Sequence, residues 1–489
     1  MGSHQEVNRA KLESASYRRL TRSQCETLHD ASMEIIESIG MRFDDAEALE
    51  LLKKGGARLV EENLVRIPQR MVEWAIRTAP KCIRLYDRTG ALAMRLAWGH
   101  SYYGPITDTL YVPDRVTGER RLATLDDLCE MVKVCDALPN IDYVMSVVLA
   151  SDAPVHSADV HQVRVMLEHT SKPIVFVTYT GEMTRRVIEL GEAVAGSAEE
   201  LRDRPFLVNY INITAPLHHN ADSIQKLFWS VDHGIPIIYR PSLVTRGYTT
   251  PLTMASFVAL NNAGSLAGLV LAQLREEGAP FIREGGPAGT VDLRTMVGCY
   301  GRPEGRGFQA DLGQLYDLPT LGLAGGSDSK IVDGQAVMEM ALTLAFEALS
   351  GNSLVHGISA LEGGKAAAIE LLPIGDEIVG WLRQALRGLE INEETLALAE
   401  IREHGLRNLY IGSDHAVRHC REDWIPSLLD SRNYAGWTKS GAGDLIERAR
   451  KRVEEILRQP RDQQSLSQAI LRRMDEIVAQ ADVLAPAEH

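Results

Sequence analysis

Eight short apolar runs, each followed by an amphipathic segment, restrict the fold of this chain more than any other feature. The runs occupy residues 102–105, 143–150, 173–178, 206–213, 235–240, 280–284, 320–324 and 353–358. Apolar residues at helical spacing occupy residues 125–138, 158–169, 183–195, 223–233, 252–275, 304–316, 332–349 and 376–386. Eight strands that alternate with eight helices are typical of a (β/α)8 barrel, so we predict a TIM barrel of the α/β class. The alternative is a doubly wound open sheet, which the count of eight and the lack of a GxGxxG turn disfavour.

Helical patterns lie on both sides of the barrel pattern. We expect an N-terminal helical layer over residues 5–98, a catalytic TIM barrel over residues 99–390 and a C-terminal helical addition over residues 391–485. The first four residues, Met-Gly-Ser-His, resemble the remnant of an affinity tag and are not expected to contribute to the fold.

The charge and the cysteines exclude several classes of protein. A formal net charge of -14 and the lack of a basic patch argue against a nucleic acid or an anionic membrane as partner. The six cysteines are scattered without CxxC or metal-ligand spacing, which is typical of reduced thiols in the cytoplasm. The longest apolar runs, such as residues 263–274, are interrupted by glycine, so we expect no membrane span and a cytoplasmic location.

One βαβ unit over residues 318–364 carries polar groups after both of its strands. The carboxyl ends of parallel strands meet at one face of a barrel, so Ser327 and Asp328 should share the barrel mouth with His356. These three are the candidate catalytic residues. Other interpretations stay open, because Asp328 could cap the following helix and a histidine in an apolar strand is often buried beside a partner.

Nine further residues at or next to predicted strand ends are candidates for substrate binding. They are Tyr102, Tyr103, Asp152, Tyr179, Asn212, Tyr239, Arg240, Arg283 and Glu284. Tyrosines mixed with carboxylates suit a cation, because each aromatic face attracts an ammonium group by about 0.5 to 2 kcal/mol. Arg240 and Arg283 could hold an anionic end of the same ligand. Tyrosine at a strand end is also a common packing residue, and Asp152 could be a loop or cap acid.

No metal site is predicted, although several histidines and acids lie close together in sequence. His156 and His161 are five residues apart and diverge on a regular helix, so they make a poor ligand set with Asp159. His415 and His419 have i, i+4 spacing but lie in the C-terminal addition. A Ser-His-Asp triad would lack its GxSxG elbow, and no phosphate loop of the GxxxxGK type occurs.

Six stretches of the chain occur in an order that is specific, although each is unspecific alone. They are RRLATLDDLCEMVKVCDALPNIDYV from residue 120, GYTTPLTMASFVALNNAGSLAGLVLAQL from residue 247, DLRTMVGCYGRPE from residue 292, GGSDSKIVDGQAVMEMAL from residue 325, LVHGISALEGG from residue 354 and GSDHAVRHCREDWIP from residue 412. Together they resemble the trimethylamine methyltransferase (MttB) superfamily of corrinoid-dependent methylamine and betaine methyltransferases. The resemblance covers most of residues 20–480.

The resemblance implies that the barrel passes a methyl group from a methylated amine to the Co(I) of a separate corrinoid protein. The cognate corrinoid protein would supply this cofactor, in agreement with the lack of an Asp-x-His-x-x-Gly motif in the chain. The trimethylamine branch of the superfamily uses pyrrolysine at the barrel mouth. We expect the corresponding position near Ser327 and Asp328, and every residue of this chain is a standard one. We also expect a homo-oligomer.

The lack of pyrrolysine favours a quaternary amine as the substrate, so the chain resembles the glycine betaine methyltransferases. A neutral tertiary amine would have to leave as an amide anion, whereas a quaternary ammonium leaves as a neutral amine without a general acid. We therefore expect a methyltransferase for glycine betaine or a similar betaine, with Arg240, Arg283 and His356 at the substrate carboxylate. Tyr102, Tyr103, Tyr179 and Tyr239 would surround the ammonium group.

Other functions remain open at this point. The charged run at residues 282–284 departs from the commoner family pattern, which leaves a different methylated substrate possible. The barrel could bind a methylated amine without catalysis or with a different specificity. A metal-dependent barrel hydrolase or lyase is the remaining alternative.

Overall fold

Seven parallel strands curl into the sheet at the centre of the molecule. The computed structural model describes residues 17–484, except for residues 116, 242–245, 287–289, 293, 406–408, 423 and 460–465. The strands of the central sheet are β1 (Tyr102–Pro105), β2 (Ile174–Phe176), β3 (Leu207–Ile213), β4 (Ile237–Pro241), β5 (Phe281–Glu284), β6 (Thr320–Leu323) and β7 (Leu354–Ile358). Their order across the sheet is β1-β7-β6-β5-β4-β3-β2, and every neighbouring pair is parallel.

Residues 142–148 lie between β1 and β2 and close the barrel. The backbone N–H of Asp142 donates to the carbonyl oxygen of Tyr103 over 2.7 Å, which joins this segment to β1. Val144 forms a parallel bridge with Ile174 of β2 on its other side. With this segment as the eighth strand position, the predicted TIM barrel is confirmed.

The eighth strand position is irregular because the chain bends there toward the segment after β1. Val147 adopts a left-handed conformation with φ of 40°, and Thr109 donates its backbone N–H to the Val147 carbonyl over 3.1 Å. Leu149 donates in turn to the Thr109 carbonyl over 2.8 Å. The prediction of a regular strand over residues 143–150 is therefore wrong. The apolar residues of this segment are mostly buried, as expected.

A helix follows each strand position, as the sequence pattern predicts. The helices are α1 (Leu125–Ala137), α2 (Ala158–His169), α3 (Gly181–Ala195), α4 (Ala221–Asp232), α5 (Met254–Arg275), α6 (Phe308–Tyr316), α7 (Gly334–Ser350) and α8 (Leu371–Ala385). Local sequence sets their ends. Thr124 forms a capping box at the start of α1, and the Asp333 side chain caps α7 by accepting from the backbone N–H of Ala336.

Helix α5 is long and apolar enough to cross a membrane by length and composition alone. However, 78% of its most apolar window is buried inside the protein. Tyr239 of β4 packs so closely on this helix that a Cβ at Gly268 would lie 2.2 Å from the tyrosine ring. This burial is typical of a core helix in a barrel.

The lower half of the barrel interior is filled with apolar side chains. Its residues are Tyr143, Met145, Val175, Val208, Ile238, Ile282, Leu321 and Leu354. Leu85, Met94 and Leu96 join the same cluster from an antiparallel hairpin of strands Ile83–Tyr86 and Leu92–Leu96. Burial of each such side chain contributes about 1.5 to 3 kcal/mol, so this end of the barrel is a packed core with no room for chemistry.

The N-terminal segment packs its helices on the outside of the barrel and adds a small sheet. Its helices are Arg22–Glu34, Ile35–Ile39 (a π-helix), Ala46–Gly55 and Gln69–Thr78. Strand Met41–Phe43 pairs with Leu64–Arg66 and, in parallel, with His218–His219 from the loop after β3, and Arg58–Leu59 completes this sheet. This N-terminal segment therefore contains both helices and short strands.

The chain beyond α8 is again helical. Its helices are Glu393–Leu396, Leu398–His404, Asp414–His419, Tyr434–Lys439, Leu445–Arg458 and Gln468–Asp482. The last two bury apolar faces, including Val453 and Ile477, in the core beside α1 and α3. Asp482 accepts a hydrogen bond from the Ser157 hydroxyl and lies 2.9 Å from His161 Nε2, so the C-terminal end of the last helix is fixed to the barrel.

Candidate active site

Four polar side chains lie inside the barrel at the carboxyl ends of its strands. Side chains two residues apart on a strand share a face, so each polar residue follows an apolar one of the interior. Tyr210 follows Val208 on β3, and Arg240 follows Ile238 on β4. In the same way Glu284 lies on β5 and His356 on β7. Their side chains meet inside the barrel, because Arg240 reaches Tyr210 and Glu284, and the ring of Tyr210 packs on that of His356.

Arg240 is held by an acid and a phenol on the two strands beside it. Its Nε lies 2.8 Å from the Glu284 Oε2, and its Nη1 donates to the Tyr210 hydroxyl over 2.6 Å. Glu284 Oε1 accepts from the backbone N–H of Gly286 over 2.7 Å. Burial acts to lower the pKa of Arg240, but Glu284 and the phenols of Tyr210 and Tyr300 outweigh it and raise that pKa. The site thus contains a fixed ion pair.

His356 is a neutral histidine beside this ion pair. Its side chain is 3% exposed, and its ring lies edge-on to Tyr210 with 5.6 Å between ring centroids. Burial, together with the positive charges of Arg240 and Arg306, lowers the pKa of His356 to about 3. Among the described residues, no group bonds its Nδ1. The imidazole is therefore uncharged near pH 7 and has a ring nitrogen available for a ligand.

The charge state of His356 predicts an acid-dependent loss of stability. Its pKa in the folded protein lies below the unfolded value of about 6.5, so only the unfolded chain gains a proton as the pH falls from 6.5 toward 3. From pH 7 to pH 5, wild type should lose about 2 kcal/mol more of unfolding free energy than His356→Gln. Denaturant unfolding at each pH measures this difference. An equal loss in both proteins would show that His356 is charged in the fold.

Tyr300 joins the site from the loop after β5. Its ring packs between the glycine turns that follow β6 and β7, since a Cβ at Gly326 would lie 3.4 Å and one at Gly364 2.6 Å from that ring. Asp328 Oδ1 accepts from the Tyr300 backbone N–H over 2.6 Å, and Arg306 donates to the Tyr300 carbonyl over 2.6 Å. The glycines of the βαβ unit therefore make room for an aromatic residue at the mouth.

Replacing Gly364 by alanine should displace Tyr300. The new methyl group would clash with the ring at 2.6 Å, and a positive φ of 87° adds backbone strain. We expect a loss of activity of about tenfold, because a shift of about 1 Å at a site can cost that much or more. Gly118→Ala is the matched control, since its φ is 74° with no atom within 4 Å of the added Cβ. Equal activity of both variants would remove Tyr300 from the site.

Ser327 and Asp328 bond to groups of α7 and of a loop and do not face the barrel interior. The Ser327 hydroxyl donates to Glu339 of α7 over 2.6 Å and is fully buried. Asp328, whose pKa is raised by burial, holds Tyr300. These two predicted catalytic residues are placed where they position other groups, and only His356 of the three faces the interior.

A second polar cluster lies at the ends of β1 and β2. Asp159 accepts from the backbone N–H of Tyr179 over 2.8 Å, and Lys226 donates to the carbonyl oxygen of Thr178. Burial raises the pKa of Asp159 to about 6 and lowers that of Lys226 to about 8. The pKa of Asp108 is also raised by burial, although Ser146 donates to it over 2.5 Å. The pKa values of Asp159 and Lys226 therefore lie closer to neutral pH than those of His356 and Tyr210 inside the barrel.

Strained backbone marks the same end of the barrel. Of the residues that the structure describes, those other than glycine with positive φ at or after the strand ends of this face are Asp108 at 54°, Val147 at 40°, Met296 at 57°, Ser359 at 85° and Glu362 at 54°. Such conformations cost about 1 to 3 kcal/mol each and concentrate at functional sites. Asn212 and Tyr179 are solvent-exposed here, the latter at 46%, so the mouth is open to solvent.

Several predicted binding residues lie away from the mouth, which corrects the expected convergence. Three of them face the helices. The Tyr239 hydroxyl meets His219 Nδ1 at 2.7 Å, Arg283 donates to Asn262 of α5, and the ring of Tyr103 lies under the Arg383 guanidinium. Side chains alternate between the two faces of a strand, so these residues cannot reach the interior.

Two other predicted binding residues are also placed elsewhere. The Tyr102 hydroxyl accepts from the backbone N–H of Arg95 at the closed end of the barrel. Asp152 accepts from the backbone N–H of Leu125 over 2.9 Å and so supports the start of α1. Of the nine, Tyr179, Asn212, Arg240 and Glu284 lie at the mouth.

Comparison with known proteins shows the family to which the chain belongs. The family profile described as trimethylamine methyltransferase (MTTB) matches residues 2–483. The chain belongs to the trimethylamine methyltransferase family. It is 30% identical over 434 residues to trimethylamine methyltransferase MttB of Desulfitobacterium hafniense, covering 88% of this chain and 87% of the relative.

Other relatives carry a different substrate in their names. Glycine betaine methyltransferase of Desulfitobacterium hafniense is 28% identical over 448 residues, which is 90% of this chain and 92% of that protein. Among solved structures, the Methanosarcina barkeri monomethylamine methyltransferase MtmB covers 95% of this chain and 93% of its own, with a TM-score of 0.47 and 11% identity. Membership of this methyltransferase family supports an enzyme that transfers methyl groups.

Sequence reasoning missed several residues of this family member's mouth. Tyr210 could have been found from the alternation of β3, since it lies two residues before Asn212. Tyr300 and Asp108 lie in loops, where no periodicity indicates direction. Lys226 lies on α4 and gave no signal, because its burial depends on tertiary packing alone.

Proposed function

We propose that the protein moves a methyl group from a quaternary amine, glycine betaine or a similar betaine, to the Co(I) of a separate corrinoid protein. One observation carries this proposal: a neutral histidine and a neutral phenol lie beside a fixed ion pair inside the barrel. Burial keeps His356 neutral and raises the pKa of Tyr210 to about 12, while Arg240 and Glu284 form an ion pair. Such a site suits a reaction that needs no acid.

Demethylation of a quaternary ammonium is such a reaction. The Co(I) of the acceptor supplies an electron pair to the methyl carbon and becomes Co(III). The carbon–nitrogen bond breaks, and its electron pair stays on nitrogen, so a neutral tertiary amine leaves. No proton is gained or lost. The protein has to orient and desolvate the cation for in-line attack.

The ion pair of the site complements a zwitterionic substrate. A guanidinium has five N–H donors, and Arg240 directs Nη1 to Tyr210 and its Nε toward Glu284, which leaves others for a substrate carboxylate. The Glu284 carboxylate would face the ammonium group, whose methyl groups pack on the rings of Tyr210 and Tyr300. A betaine would therefore meet a charge of opposite sign at each end.

The open mouth suits an acceptor that approaches from outside. Tyr179 and Asn212 line it on the β2 and β3 side, where they are exposed. The opposite end is closed by the apolar hairpin. A corrinoid protein could therefore reach the methyl group only along the barrel axis at the carboxyl ends of the strands.

Product analysis tests the proposal. The full chain is incubated with a reduced corrinoid protein and either glycine betaine, carnitine or tetramethylammonium, and the amines are measured by mass spectrometry. We expect one equivalent of the singly demethylated amine for each equivalent of methylated corrinoid. Loss of the substrate without a methylated corrinoid would point to another acceptor. The absence of any demethylated amine would refute the proposal.

Tyr179 gives a narrower prediction for substrate binding. Its side chain is 46% exposed at the mouth, where its ring can face the incoming cation. Tyr179→Ala should raise KM about threefold to tenfold, in line with a cation–π contact of about 0.5 to 1 kcal/mol at an exposed site, plus lost packing. Tyr434→Ala, which removes a 79% exposed tyrosine from the C-terminal addition, is the control. A KM that stays at the wild-type value in Tyr179→Ala would exclude this contact.

A further inference from the structure

A cluster of nitrogen and oxygen donors lies in the C-terminal addition, outside the barrel and apart from the proposed methyl transfer. Glu394 comes from the short helix Glu393–Leu396, and His415 and His419 come from Asp414–His419. One donor atom of each residue lies within 4.8 Å of the others. The two histidines are one helical turn apart, so their rings project from the same face with centroids 4.2 Å apart.

The donor separations are close to those of a zinc site. His419 Nε2 lies 3.4 Å from the Glu394 Oε1. Two ligands of a tetrahedral zinc with bonds of about 2.0 to 2.1 Å are about 3.3 Å apart, so this pair already has the required spacing. His415 Nε2 lies 3.2 Å from the Glu394 carbonyl oxygen, on the same side of the short helix. A change of side-chain rotamer at the partly buried His415 would bring the third donor into place.

A carboxylate outside the three donors orients one of the imidazoles. Glu422 Oε1 lies 2.5 Å from His419 Nδ1, three residues along the chain. This contact keeps the hydrogen on Nδ1 and turns the lone pair of Nε2 toward Glu394. Metal-bound histidines usually have such a carboxylate or carbonyl on their second nitrogen, where it fixes the tautomer. A histidine oriented by a carboxylate in this way is more specific evidence of a metal site than a pair of surface histidines.

We propose that Glu394, His415 and His419 bind a divalent transition-metal cation of the zinc class. Imidazole nitrogens with one carboxylate are ligands typical of Zn2+, and the charges of Glu394 and Glu422 balance a dication. Arg418 also pairs with Glu394 at 2.9 Å, so the cation would compete with this arginine for the carboxylate. Three protein ligands leave a fourth position for water.

The bound cation would connect two segments that are otherwise far apart in sequence. Glu394 precedes His415 by 21 residues and His419 by 25. A metal that closes a loop of that length lowers the conformational entropy of the unfolded chain. It thereby stabilises the folded arrangement of the two short helices. The site therefore has a structural role in the C-terminal addition, independent of the methyl acceptor.

Equilibrium dialysis with Zn2+ tests this proposal on the full chain, freed of any affinity tag. We expect one Zn2+ per chain in wild type and at least tenfold weaker binding in His415→Ala and in His419→Ala. Glu422→Gln should also weaken binding, by about 10-fold to 100-fold, because it loosens the orientation of His419 without removing a ligand. His404→Ala removes another histidine of the same addition and should bind as wild type does.

Circular dichroism and gel filtration show whether each variant is folded before its binding is compared. His404, His415 and His419 lie on short helices and Glu422 lies in the turn after Asp414–His419, all outside the barrel core. Wild-type binding in both ligand variants, or no stoichiometric Zn2+ in wild type, would overturn the proposal. A loss in His404→Ala equal to that in His419→Ala would place the bound metal elsewhere and overturn it as well.

Discussion

Glu284→Gln is expected to lower the free energy of unfolding by about 3 to 5 kcal/mol and to reduce methyl transfer at least 100-fold. The Glu284 side chain is 4% exposed and that of Arg240 is 25% exposed, so the arginine would keep a buried charge without its partner. The ammonium group of the substrate would lose its counter-charge at the same time. Denaturant unfolding and steady-state kinetics measure the two effects separately.

A double variant separates the structural from the functional part of this effect. Arg240→Met with Glu284→Leu removes both charges and keeps similar volumes, so it should recover most of the stability lost in Glu284→Gln. It should not recover activity, because neither end of a zwitterion then meets a charge. Recovery of both would mean that the ion pair serves folding alone.

His356→Ala is expected to reduce kcat/KM by about 100-fold to 1000-fold, the cost of removing one preorganised hydrogen-bonding group from a buried site. The neutral imidazole lies against Tyr210 and has an unbonded Nδ1 within the part of the chain that the structure describes. It can therefore orient the substrate without a change of charge. Assays between pH 6 and 8 should show no titration from this residue, since burial lowers its pKa to about 3.

His219 provides a matched control for His356. It is equally buried, and burial lowers its pKa to about 3 as well, but it lies on the helix side, where it stacks on Phe43 and bonds Tyr239. His219→Gln should lower stability and leave the kcat/KM of the folded enzyme within about twofold of wild type. Equal kinetic losses in both variants would indicate a general effect of histidine burial.

The barrel was predictable because each strand and helix follows from local patterns that agree with one another. The runs at β3 to β7 and the amphipathic segments after them carry a clear change of period, from two to 3.6 residues. The irregular segment at residues 142–148 was not predictable as such, since its bend depends on the contact between Thr109 and Val147 across the mouth.

The site was predictable only in part, because strand ends were identified without the direction of each side chain. Arg240 and Tyr239 are neighbours in sequence, yet one enters the barrel and the other faces α5. Adjacent residues of a strand face opposite sides, so Arg283 and Glu284, which were both expected at the mouth, cannot both lie there. Loop residues such as Tyr300 belong to no strand, so no alternation indicates the direction of their side chains.

The glycines of the βαβ unit show what sequence could and could not tell. Glycines allow a close approach of another group to the backbone, but they occur in many turns. The partner turned out to be the ring of Tyr300, which lies against Gly326 and Gly364. Nothing in the local sequence names that partner, since Tyr300 comes from a separate loop.

A side-by-side comparison of Co(I) methylation rates shows whether the methyl donor is a quaternary or a tertiary amine. Wild-type enzyme and a reduced corrinoid protein are mixed with either glycine betaine or trimethylamine at equal concentration, and the conversion of Co(I) to methyl-Co(III) is followed by absorbance. We expect rapid conversion with glycine betaine and none above background with trimethylamine. Conversion with trimethylamine and none with glycine betaine would contradict the proposed function.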